Sequence, residues 1–137
     1  MSKLSKIKFK YGLKLIAILC GFSLFLFSKY IKADSFLECI EDIPISNEFV
    51  ESESDCFNFD SSTGKISLAV AKTLMNFEDI KEYYMNILPS FGWEVKEFSE
   101  KEYFMLFVRE KDVLKISVQI DNNKNFLITY NLLSLIK

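Results

Sequence analysis

The chain has 137 residues, a formal charge of −2, 50% hydrophobic and 15% aromatic content, and no histidine. That is apolar material for one packed core, and too much of it for a disordered chain. The absent histidine removes Ser-His-Asp and Cys-His nucleophile systems and the commonest zinc ligand, and four scattered glycines supply no phosphate-cradling loop.

The charge is distributed unevenly. Residues 1–32 hold seven lysines (Lys3, Lys6, Lys8, Lys10, Lys14, Lys29, Lys32) and no acid, whereas residues 33–137 carry nineteen acids against ten bases, a net of −9. A body so acidic repels phosphate backbones, so no nucleic-acid partner is expected.

Leu15 to Phe27 is an uncharged apolar run of thirteen behind those lysines. A basic flank before an apolar stretch of this length is the pattern of an export signal, and lysine-rich flanks stay cytoplasmic. Thirteen helical residues reach only about 20 Å, but residues 11–31 reach about 31 Å, enough to cross a hydrocarbon core with Lys14 and Lys29 snorkelling. Residues 1–33 therefore read as a signal-anchor or transmembrane segment, placing a single-pass protein in the inner membrane with its C-terminal domain in the periplasm. The competing reading is cleavage after Ala33 and release into the periplasm. Cys20 follows Leu19 rather than a small residue, which argues against lipidation there.

From Asp34 to Asp60 there are nine acids and no base. Residues 34–55 accordingly read as a solvated, self-repelling acidic linker. Clustered carboxylates can also hold Ca²⁺, although the alternating ligands and turn glycine of a calcium loop are missing. Cys39 and Cys56 lie on the side expected to be oxidising. Either they are bridged or they are two free thiols.

Residues 56–137 read as one α+β domain. Cys56 to Asp60 alternates with Phe57 and Phe59 on one face, Ser61 to Gly64 turns, and Lys65 to Thr73 alternates through Ile66, Leu68 and Val70, which together predict a β-hairpin. Asn76 can cap a helix whose apolar stripe is Phe77, Ile80, Tyr84, Ile87 and Leu88. Pro89 and Gly92 end it, and Phe91 and Trp93 are expected to close over that end. Four strands follow: Trp93 to Phe98, Tyr103 to Val108, Leu114 to Ile120 and Phe126 to Leu133. Short connections force antiparallel neighbours, so the expected fold is a two-layer sandwich, order ββαββββ, with one helix across one sheet.

Few residues point to chemistry. Glu94, Glu97, Glu100 and Glu102 crowd around one turn, and a carboxylate pair there would suit glycan hydrolysis, but they alternate as a wet strand edge does. Arg109, the sole arginine, can hold a carboxylate ligand bidentately or form a turn-flanking salt bridge. One helix cannot cover a six-stranded sheet, which leaves a second face for a partner.

Three segments taken in order, Phe59 to Ile66 (FDSSTGKI), Tyr83 to Trp93 (YYMNILPSFGW) and Phe107 to Val118 (FVREKDVLKISV), carry a likeness to a known group. Across about residues 43–120 the chain resembles small exported or membrane-anchored alphaproteobacterial proteins of uncharacterised function. The resemblance implies an envelope location and supplies no catalytic residue. The chain departs from the group in its many lysines and its acidic stretch before the hairpin.

The expected function is a non-catalytic envelope binding or assembly module, held to the membrane by residues 11–31, whose domain binds another envelope protein or the lipid surface. No cofactor or metal site and no enzymatic activity are expected. The alternatives are a carboxylate-dependent hydrolase acting on envelope glycans, or a Ca-binding module using the acidic linker.

Overall fold

A computed structural model describes residues 35–121 and 124–136. The expected membrane segment lies outside the described residues. Among those described, no helix is long and apolar enough to cross a bilayer. The architecture is α+β, one α-helix packed against antiparallel sheets.

Three two-residue strands come first, β1 (Ser35–Phe36), β2 (Pro44–Ile45) and β3 (Val50–Glu51). The hairpin follows as β4 (Phe57–Asp60) and β5 (Gly64–Thr73), then helix α1 (Phe77–Ile87). Strands β6 (Glu94–Ser99), β7 (Phe104–Arg109), β8 (Asp112–Ile120) and β9 (Phe126–Leu135) complete the chain. β1 pairs only with β2. The main sheet has seven strands in the order β3-β5-β9-β8-β7-β6, with β4 beside β3 on the same flank of β5. The expected ββαββββ order is thus present from β4 onward. β5 and β9 pair along ten residues, which places the C-terminal strand in the middle of the sheet.

Local chemistry sets the helix bounds. The Asn76 side chain accepts a hydrogen bond from the Asp79 N–H at 3.0 Å, and Glu78 and Asp79 place carboxylates at the positive end of the helix dipole. After Ile87 the chain tightens into a 3₁₀ turn, Leu88–Phe91, containing Pro89. Gly92 then takes a left-handed φ of 81° and its N–H bonds back to Pro89 O at 3.1 Å.

The helix buries Phe77, Ile80, Tyr84 and Ile87 against the sheet residues Ala69, Ala71, Met105, Phe107, Leu114, Ile116, Val118, Ile128 and Tyr130. One expectation fails here. The stretch 34–55 is not a solvated linker where it is described: Leu37, Ile40, Ile43, Ile45 and Phe49 are buried in the same core. Five large apolar side chains outweigh the repulsion among acids that remain at the surface. The alternation of β5 points the other way from its bulk. Ser67, Ala69, Ala71 and Thr73 face the core, while Ile66, Leu68 and Val70 lie on the opposite face with Phe57 and Phe59. Small side chains on the inner face let the helix and residues 37–49 approach closely.

Candidate functional site

The acidic segment is fastened by named contacts. Cys39 and Cys56 form a disulfide with S–S 2.09 Å and Cα–Cα 5.5 Å. The Glu51 carboxylate accepts hydrogen bonds from the Glu38 N–H at 2.7 Å and the Cys39 N–H at 3.1 Å, so this acid holds the cysteine loop from the β3 side. Asn58, on β4, accepts from the Ser67 hydroxyl at 2.5 Å and points its amide at both sulfurs.

Arg109 sits at the end of β7, where the helix exit, residue 42 and β8 converge. One guanidinium nitrogen donates to Asp42 Oδ2 at 3.0 Å and Asp112 Oδ2 at 3.3 Å, and the other to Phe91 O at 3.4 Å. Its planar group also lies 4.3 Å from the Trp93 ring. Of the two expected roles, the structure shows the salt bridge, with both of its carboxylates supplied by the chain itself. Trp93 Nε1 is buried with no hydrogen-bond acceptor among the described residues, and nothing around it explains this.

The four glutamates do not converge as a catalytic pair would. By register Glu94 and Glu97 lie on the outer sheet face, opposite Val108 and Leu106. Glu100 instead bonds Lys81 on the helix at 2.9 Å, and Lys81 also pairs with Glu78 at 2.6 Å. Hydrogen bonds that Lys81 donates to Glu100 first and Glu78 second hold its ammonium above its ordinary pKa. Glu102 is exposed, and its N–H donates to Ser99 Oγ. Among the described residues no three His, Cys, Asp or Glu gather as metal ligands would.

Among the described residues, Tyr84 and Tyr130 form a buried titratable pair whose hydroxyls meet at 2.7 Å between helix and sheet. Burial, chiefly, raises both pKa values well above the usual tyrosine value. The pair serves as a polar fastening inside the core.

Two clefts flank the sheet on its helix side. An apolar one of about 470 Å³ is lined by Phe77, Tyr103, Val118, Ile120 and Phe126 with Glu78 and Glu100 at its margin. A polar one of about 420 Å³ runs between residues 38–42 and the β4–β5–β9–β8 strands, lined by Glu38, Glu41, Asp42, Asn58, Lys65 and Asp112.

The opposite face carries exposed apolar side chains. Cross-strand register sets Phe59 beside Ile66, Ile66 beside Leu133, Leu133 beside Val113, and Val113 beside Val108. This is an apolar row across five strands. Phe59 is 53% exposed and Ile66 41%, with Phe57 and Leu135 open next to them. No described element covers it. Farther along, Lys115 lays its ammonium 4.8 Å from the Phe104 ring and screens that end.

Comparison of the chain with protein-family models, curated proteins and solved structures gave no match. Sequence reasoning expected a free sheet face but did not assign its residues. The size alternation in β5 masked them, because the small residues Ser67, Ala69, Ala71 and Thr73 are the ones that face the core. The inner role of Leu37, Ile40, Ile43 and Phe49 was hidden by the acids between them.

Proposed function

We propose that the chain is a membrane-anchored envelope protein whose domain is a non-catalytic binding or assembly module facing the periplasm. The observation that carries this reading is the uncovered apolar row Phe59–Ile66–Leu133–Val113–Val108, because monomeric domains seldom leave such a row open to water. The bridge between Cys39 and Cys56 suits an oxidising compartment, and the lysine-rich flank before Leu15–Phe27 suits an inner-membrane anchor. The likeness to small exported alphaproteobacterial proteins supports the location and says nothing of the partner.

The test is a photo-crosslinker placed at Phe59, or at Glu82 on the exposed helix side, in the full-length protein in native membranes. The reading expects a discrete adduct from position 59, none from position 82, and loss of the adduct when Leu133→Asp breaks the row. Recovery of the untagged protein in the cytosol at full length, with Cys39 and Cys56 reduced, would overturn it.

A further inference from the structure

We infer that the outer edge of β4 accepts an extended segment of the partner as an added strand, and that this segment alternates apolar and basic side chains. The inference rests on reading the domain as a binding module and names the chemistry of what it binds.

Backbone phase comes first. Among the described residues β4 pairs with β5 alone, and all four of its residues are exposed. The Ser61 N–H donates to Gly64 O at 2.8 Å. Antiparallel ladders alternate, so Phe59 with Ile66 and Phe57 with Leu68 are the next hydrogen-bonded pairs. The Ser52 N–H bond to Val70 O fits the same phase, since the even-numbered residues of β5 turn towards this flank. The N–H and C=O groups of Asn58 and Asp60 therefore point away from β5. Among the described residues no hydrogen bond reaches them. They form a ready row of donors and acceptors for another strand.

The two flanks of the sheet are not equivalent. The far edge, β6, reads EVKEFS, with a register irregularity between Val95 and Glu97 that leaves Lys96 without a partner. A lysine in a bulge on a charged strand is how an edge is kept from pairing. β4 reads FNFD and carries neither lysine, proline nor bulge.

Side chains then specify the ligand. On the open face an added strand lies beside Phe57 and Phe59, which favours apolar residues at alternate positions. Its other side chains face the polar cleft that Asn58 shares with Glu38 and Glu41, where Lys65 is the one base among the described lining residues. Glu53 and Asp55 stand just before the strand, both exposed. Charge complementarity there favours lysine or arginine. A second copy of this chain is disfavoured because two β4 strands paired with one another each bring Asp60, with Glu53 and Asp55 just ahead of it, and no base to offset them.

The experiment titrates full-length protein in lipid nanodiscs with the capped peptide Lys-Val-Lys-Phe-Lys-Val by calorimetry. The expected result is binding that falls at least roughly tenfold for the glutamate counterpart and disappears when alternate amides are N-methylated. Asn58→Pro removes an outward N–H that β5 does not use, and is expected to weaken binding about tenfold while melting is measured alongside. Glu38→Gln with Glu41→Gln, which leaves the backbone contacts of residue 38 in place, is expected to weaken binding and flatten its salt dependence. Equal binding of the N-methylated peptide overturns strand addition. Sedimentation showing a dimer that Asn58→Pro dissolves overturns it as well. Absence of peptide binding while the Phe59 crosslink persists refutes the edge and leaves the binding-module reading standing; loss of both refutes both.

Discussion

Replacing Tyr84 by phenylalanine tests how the helix is fastened to the sheet. Tyr84 and Tyr130 are both at 0% exposure, and their hydroxyls are 2.7 Å apart. The rings also meet edge to face at 5.9 Å, a contact that phenylalanine preserves. Tyr84→Phe therefore deletes one oxygen and leaves the Tyr130 hydroxyl buried without its partner. Stranding a buried hydroxyl costs about 1–3 kcal/mol, and a value near 2 lowers Tm on the order of 10 °C for a domain of this size. Tyr84→Phe combined with Tyr130→Phe strands nothing, so the double variant should be less destabilised than the sum of the singles by about 1–2 kcal/mol. The assay is urea unfolding of the micelle-solubilised protein followed by Trp93 fluorescence. Additive single effects would refute the reasoning, because they would mean that each hydroxyl is satisfied independently of the other.

Four further outcomes follow from named contacts. Unfolded tyrosines ionise near pH 10, whereas burial raises both Tyr84 and Tyr130 in the folded state. Their contribution is thus fully present below pH 10 and is lost as pH climbs above it, by about 1.4 kcal/mol per unit for each tyrosine. Melting at pH 9 and pH 11 checks this, and the double phenylalanine variant should show the smaller drop. Arg109→Lys keeps the charge but loses the fork across Asp42, Asp112 and Phe91 O together with the stack on Trp93, and should lower stability by about 1–2 kcal/mol. Asp42→Asn, at a side chain 67% exposed, should cost less than half of that in the same denaturation assay. Reduction of the Cys39–Cys56 bridge, whose ends are 17 residues apart, should remove about 3 kcal/mol and make residues 38–42 the first site of limited proteolysis.

The parts of the fold legible in the sequence are those where one local signal dominates. Asn76, Pro89 and Gly92 punctuate the helix, and the cap, the 3₁₀ turn and the left-handed exit stand at those residues. The strands after the helix announce themselves by period, and each begins and ends within two residues of its expected place. Residues 35–55 were illegible because charge density and apolar spacing gave opposite answers. Ile40, Ile43 and Ile45 sit among Glu38, Glu41, Asp42 and Glu48, and only the tertiary contacts reveal that the isoleucines go in while most acids stay wet. Arg109 was visible as a singular residue, but its partner Asp42 lies 67 positions away and no local pattern connects them.

The open face follows from the same accounting. The described chain has one helix of 11 residues, about 16 Å long, and one irregular segment, 37–49, available to cover a seven-stranded sheet. Both lie on one side, because that side of β5 is lined by Ser67, Ala69, Ala71 and Thr73 and gives them room. The bulk that β5 withholds from the core appears on its other face as Ile66, Leu68 and Val70, and β4 adds Phe57 and Phe59 to it. Had the face evolved only to meet water, polar residues at positions 59, 66 and 133 would leave the helix-side packing untouched. Apolar residues at all three, in register across neighbouring strands, form the partly exposed row on which the proposed binding role rests.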